Sequence, residues 1–131
     1  MGYLWIGTLG GVSRFDGQKF KNFSKQDGLL NNQVNFIVQK SNRDLVFGSI
    51  GGLTIYNGQK FQRAPFPQPF ESVQVNHILE DEGRLLVGTE HGLLAYDQQV
   101  YSIVFDQWNQ ERLHIKRILK MGEGFLICAK S

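Results

Sequence analysis

The 131-residue chain has one cysteine, three prolines and almost no net charge, and each scarcity removes a class of explanation. A lone cysteine, Cys128, can form neither an intrachain disulfide nor a zinc site built on cysteines, though it leaves the redox compartment open. The formal charge is +2, from 14 basic and 12 acidic residues scattered along the chain. That balance offers no electrostatic footprint for nucleic acid or anionic lipid, so neither is expected as a partner of this region. Long hydrophobic runs are absent as well: the apolar stretches are short and broken by Gly and Asp, so none can span a bilayer. The first residues lack the basic-then-apolar design of a signal peptide. Nowhere does a 3.6-residue apolar stripe continue for three turns, which argues against helices.

What the chain has instead is repetition. LWIGTLGGVSRFDGQKF at residues 4–20 recurs as LVFGSIGGLTIYNGQKF at 45–61 and LLVGTEHGLLAYDQQVY at 85–101, and begins again as FLICAKS at the end. Gly7, Gly48 and Gly88 lie 41 and 40 residues apart, with Cys128 at the next place in the column. Gly11, Gly52 and Gly92 keep the same spacing, as do Phe15, Tyr56 and Tyr96, and Phe20, Phe61 and Tyr101. A second cassette recurs between them: Val34 with Ile37, Val75 with Ile78, Ile115 with Ile118. A period near 40 residues decides the architecture before any single residue does.

Each repeat reads as four strands. Leu4 to Thr8 is apolar and β-prone, Val12 to Phe15 follows a two-glycine turn, Asp16-Gly17-Gln18 makes a hairpin, and Phe20 to Phe23 alternates apolar with polar. Val34 to Gln39 supplies the strand that leads into the next LVFGS. The expected fold class is all-β: a partial β-propeller of about three four-stranded antiparallel blades plus part of a fourth, from a larger, seven-bladed ring. The segments LWIG, LVFG, LLVG and FLIC are apolar on both alternations, as inner strands packed on both faces must be. As a single propeller fragment over 1–131, its blade repeats are placed at about 3–33, 34–74, 75–114 and 115–131. Propellers close with about four blades or more, and an open arc leaves apolar faces in water. The expected partners are therefore the remaining blades of a parent chain, or a second copy of this one.

The first copy resembles the two-component regulator propeller repeat. Leu4-Trp5-Ile6-Gly7-Thr8, Gly10-Gly11, Phe15-Asp16-Gly17, Phe20, Phe23, Asp27-Gly28-Leu29, Asn32, Val34 and Ile37 all fit that pattern. Later copies drift. Val46 and Leu86 replace the tryptophan, Ala64 to Phe70 replaces the Asp-Gly-Leu loop, Gln98 stands for the turn glycine, and Cys128-Ala129 replaces Gly-Thr. The resemblance implies the periplasmic sensor region of a bacterial hybrid two-component histidine kinase, membrane-anchored in its parent, recognising an oligosaccharide or a partner domain. No phospho-acceptor helix or ATP-binding segment is present, so this region is expected to be non-catalytic and to need no cofactor.

Candidate acids and bases were weighed for the alternative of a propeller lyase or glycosidase. Glu80-Asp81-Glu82 falls at a turn and reads as a solvated hairpin tip. His77 and His114 fall in strand cassettes and read as structural, and no spacing suits a metal or a nucleophile. A binding face fits better, because loops between second and third strands and between blades open on one end of a propeller. The candidate ligand-binding residues there are Asn32, Gln33, Glu90, His91, Trp108 and Arg112; Trp108 beside amides and a guanidinium suits sugars, or else anchors its loop. A non-sensing scaffold propeller for protein docking is the other alternative. Trp5 is expected in the core, Cys128 to be buried and inert, and the Pro65, Pro67 and Pro69 connection to be extended and stiff.

Overall fold

The computed structural model describes residues 2–130; the side chain of Trp108 lies outside the described residues. Within them the chain is all-β apart from one 3-10 turn at Lys25–Asp27. Strands β1 (Leu4–Thr8), β2 (Gly11–Phe15) and β3 (Phe20–Phe23) form an antiparallel three-stranded sheet. Strands β4 (Val34–Gln39), β5 (Leu45–Ser49), β6 (Gly52–Tyr56) and β7 (Phe61–Pro65) form a four-stranded meander. So do β8 (Val75–Asp81), β9 (Arg84–Thr89), β10 (Gly92–Asp97) and β11 (Val100–Phe105). A short hairpin, β12 (Gln107–Trp108) with β13 (Glu111–Arg112), precedes the final pair β14 (His114–Met121) and β15 (Gly124–Lys130). Successive four-stranded antiparallel sheets with almost no helix are consistent with propeller blades.

The sheets pack face to face through three clusters. Val12, Phe23, Leu29, Val34, Phe47 and Tyr56 fill the first interface. Val46, Leu53, Phe70, Val75, Ile78, Val87 and Leu94 belong to the second, and Leu86, Leu93, Ile115 and Ile118 to the third. Neighbours in sequence therefore serve opposite faces: Val46 packs forward and Phe47 backward, Val87 backward and Leu86 forward. This is why these strands are apolar at both alternations.

The first glycine column marks where sheets come closest. A Cβ on Gly48 would sit 2.6 Å from Val75 Cγ1 and 3.0 Å from Ile78 Cδ1; one on Gly88 would sit 2.6 Å from Ile115 Cγ2. Each glycine receives the first residues of the next sheet's leading strand, so the two repeated cassettes are halves of one contact. Gly52, at φ +146° and with Ala64 O 2.6 Å from a would-be Cβ, is required by both backbone and space.

Several expectations need correction. Cys128 is exposed: among the described residues no further sheet follows β15 to make the column's contact there. Leu4 and Ile6 on β1 are likewise exposed, at 59% and 38%. Trp5 is half-buried, its ring stacked on Phe23 (5.8 Å) and edge-on to Tyr56 (5.7 Å), with the remainder lining a cavity. The proline-rich connection is folded, with Phe70 N–H donating to Pro67 O (2.8 Å) and Val73 N–H to Phe70 O (3.0 Å). Two tight turns are needed there because Phe66 and Phe70 both plug the core, at 4% and 1% exposure. In the first repeat Leu29, fully buried, plays that anchoring part, with Leu30 N–H donating to Thr54 Oγ1 (2.8 Å).

The carboxylates at the β8–β9 turn are engaged across sheets. Glu80 accepts from Ser41 N–H (2.7 Å) and Ser41 Oγ (3.0 Å), while Asp81, 8% exposed, pairs with Lys120 (3.0 Å) and Arg84 (3.3 Å). The Lys120 hydrogen bond, more than Arg84, holds the Asp81 carboxyl below its ordinary value. Sequence could not show that Lys120 arrives from the neighbouring sheet.

Candidate functional site

In an antiparallel meander, the turns joining second to third strands and the connections between sheets must emerge at one end. Hydrogen bonds tie them together there. Gly51 N–H donates to Val73 O (2.9 Å), Phe66 N–H to Gly51 O (2.8 Å) and Glu90 N–H to Gln74 O (3.1 Å), and Gln74 N–H returns a bond to Glu90 Oε1 (3.0 Å). The end is a rim in which the Gly51 turn is latched to the connection that enters the next sheet, and the Glu90 turn to the connection that enters its own.

Every leading strand carries a β-bulge at the same place beneath this rim: between Val34 and Phe36, Val75 and His77, and Ile115 and Arg117. The extra residues are Asn35, Asn76 and Lys116. A bulge frees one residue from the ladder and re-aims its side chain, and bulges gather at barrel rims and binding sites. Asn76 uses that freedom to bridge sheets, its Nδ2 donating to Ile115 O (2.9 Å) and lying 3.0 Å from His114 Nε2. His114 is thus a joint of the rim. The His77 ring lies tilted against that of Phe36, centroids 4.7 Å apart, and burial, then Arg117, lowers its pKa below the ordinary 6.5.

The six candidate residues divide into groups. Glu90 is joined to Gln74 as above. His91, with its N–H on Thr89 Oγ1 (3.0 Å), places Nδ1 3.4 Å from Arg112 Nη1. Arg112 is exposed on β13, opposite Gln107. Asn32 and Gln33 lie one repeat earlier on the rim and make no hydrogen bond to these; Asn32 Oδ1 instead accepts Lys25 N–H (2.8 Å), fastening its own loop. Trp108 pairs with Glu111 through the backbone, and its side chain lies outside the described residues.

The connection over 106–112 is itself a hairpin rather than a plain loop. The hairpin turns on Asn109 and Gln110, both left-handed at φ 54° and 66°. Asn tolerates that region, and successive positive φ values suit a two-residue hairpin, so Asn109 was the available signal. Gln74 and Asn76 are further rim residues that sequence did not single out, while His114, read from sequence as structural, is held in the rim by Asn76. Among the described residues no cluster of His, Cys, Asp and Glu could hold a metal ion.

No protein-family model matches the chain, and no curated protein matches it. Solved structures do. The extracellular domain described as that of hybrid two component system BT4673 from B. thetaiotaomicron is similar at TM-score 0.83 and 25% identity, over 97% of this chain and 18% of that one. The corresponding BT3049 domain gives TM-score 0.78 at 28% identity, again over 97% and 18%. A further BT4673 structure, described as a one component system, gives 0.81 at 25%. The chain thus spans about a fifth of the length of these neighbours. These neighbours are described as extracellular domains of hybrid two-component systems, and in one structure of a one-component system; they support a sensor-domain role and accord with a periplasmic location.

Proposed function

We propose that this chain is a segment of the ligand-sensing extracytoplasmic propeller of a bacterial two-component sensor. The observation that carries the reading is the backbone likeness over 97% of the chain to extracellular sensor domains. In this reading the sheets are blades of about 3–33, 34–74, 75–114 and 115–131, set in a larger, seven-bladed ring. Exposed Leu4 and Ile6 at one end of the arc, and Met121 and Leu126 (60% and 47%) at the other, support blades of the parent chain, or a second copy, as their cover. The rim bearing Gln33, Gln74, Glu90, His91 and Arg112 binds an oligosaccharide or a partner domain. Binding biases the packing between propeller modules, and the shifted population is read by an attached histidine kinase.

The neighbours' descriptions contain no enzymatic activity, and no cofactor enters this reading. The test is a glycan panel applied to the whole extracytoplasmic portion of the parent protein, with a signalling assay on a variant lacking residues 1–131. Binding with loss of signalling supports the reading; no binding and intact signalling overturn it.

A further inference from the structure

The end of the sheets opposite the rim carries the turns joining first to second and third to fourth strands, and there the crevice between the first two sheets differs from the others. It is a cavity of about 500 Å³ lined by Tyr3, Trp5, Arg14, Arg43, Gln39 and Tyr56, among others. The Arg14 guanidinium lies 4.4 Å from the Tyr3 ring centre and 5.7 Å from that of Trp5, so its faces rest on aromatics and its N–H edge is left for a ligand. Among the described residues the ion pairs are those of Asp81 with Arg84 and Lys120, and neither Arg14 nor Arg43 pairs directly with a carboxylate. Asp16, whose charge Arg14 feels, is engaged in its own turn, accepting from Gln18 N–H and Lys19 N–H (2.8 Å each). Among the described residues no acidic side chain lines the cavity.

The repeat supplies its own comparison. At the column of Trp5 the later copies have Val46 and Leu86; at that of Arg14 they have Ile55 and Ala95; at that of Arg43 they have Gly83 and Glu123. The equivalent crevice between the next two sheets is lined by Ile55, Leu85, Tyr96 and Gln98, with Lys40 and Asp44 of opposite sign, and in the third Arg84 and Lys120 stand beside Asp81, Glu82 and Glu123, so its cations have acidic partners. Packing at the Arg14 column is thus met by an apolar side chain elsewhere in the same chain. An unpaired guanidinium there, walled by three aromatic rings, is not demanded by the fold.

We propose that this crevice is a second binding site, distinct from the rim, for a small ring compound bearing a carboxylate or sulfate. Arg14 and Arg43 take the oxyanion, the fork of Arg14 in bidentate fashion, while Trp5 and Tyr3 cover the apolar face of the ring. The site stands on this cavity alone and does not require the rim to bind sugar.

The experiment is an NMR titration of the chain, following the Trp5 indole N–H, with D-glucuronate, inorganic sulfate and D-glucose. The expected result is saturable shifts with glucuronate, weaker ones with sulfate and none with glucose. Binding should weaken at least tenfold in Arg14→Ile, which borrows the residue of the second copy and so preserves packing, and also in Arg43→Gln, a surface change. Shifts that persist in both variants, or equal shifts with glucose, overturn the proposal. So does the absence of any shift with either anion.

Discussion

Replacing Gly48 by alanine tests the contact on which the stacking of sheets rests. The new methyl would lie 2.6 Å from Val75 Cγ1 and 3.0 Å from Ile78 Cδ1, well inside contact distance, and Val75 is fully buried. A β-branched side chain has few rotamers in which to retreat. Overpacking of this kind costs about 1–3 kcal/mol, of which about 0.5–1 kcal/mol is offset by the lower chain entropy of alanine in a strand. The net expectation is a loss of about 1–2 kcal/mol. Val75→Ala alone should cost about 2 kcal/mol through lost burial and the cavity left behind. In the double variant the new methyl occupies the vacated space, so it should be no less stable than Val75→Ala, with a coupling of about 1 kcal/mol or more. Urea denaturation of the four proteins, followed by far-UV circular dichroism, measures the cycle. Additivity within about 0.5 kcal/mol would refute the claim that the glycine column exists to admit the next sheet. Cys128→Val, at the same column but exposed, serves as control and should change stability by less than about 0.5 kcal/mol.

Phe70→Ala, which empties a site 1% exposed, should cost about 3–5 kcal/mol by calorimetry, whereas Pro67→Ala on the exposed side of the same loop should cost far less. The depressed Asp81 carboxyl gives a signed pH effect. Its contribution is complete above the ordinary value of 3.8 and is lost as pH falls below that toward the folded value; Asp81→Asn should flatten the acid limb of stability against pH. Lys120, raised by the same partner, contributes below the ordinary 10.5 and loses its contribution as pH rises through its folded value, so Lys120→Met should flatten the alkaline limb. A Glu80→Gln substitution should leave the fold intact, since one oxygen still accepts from Ser41 N–H, with a stability change under about 1 kcal/mol in a thermal melt.

Much of the architecture was legible because a repeat states the same physical requirement several times. Gly48 with Val75 and Gly88 with Ile115 are one contact in two copies, and their spacing announces it without any knowledge of partners. What could not be read was whatever depends on which sheet stands next to which. Asp81 looked like a solvated tip because Lys120, which covers it, lies 39 residues away. Pro65, Pro67 and Pro69 predicted an extended connection, but burial of Phe66 and Phe70 outweighed the local preference and folded it into turns. Cys128 follows the column rule for strand position, yet burial is a property of the neighbouring sheet, and among the described residues none follows β15. At the rim, the pattern located the loops but not the latches: Glu90 on Gln74, Asn76 on His114 and Ile115, His91 near Arg112.

The central claim is that the rim belongs to a signal-sensing module, and a transcriptional reporter driven by the parent system tests it most directly. Cells carrying His91→Ala with Arg112→Ala should express and localise the receptor normally, since His91 is half-buried, Arg112 is exposed and neither belongs to a core cluster, yet lose most of the reporter response to whichever glycan of the panel the whole extracytoplasmic portion binds. An inducible response equal to that of the unaltered receptor, at equal protein level, would contradict the account.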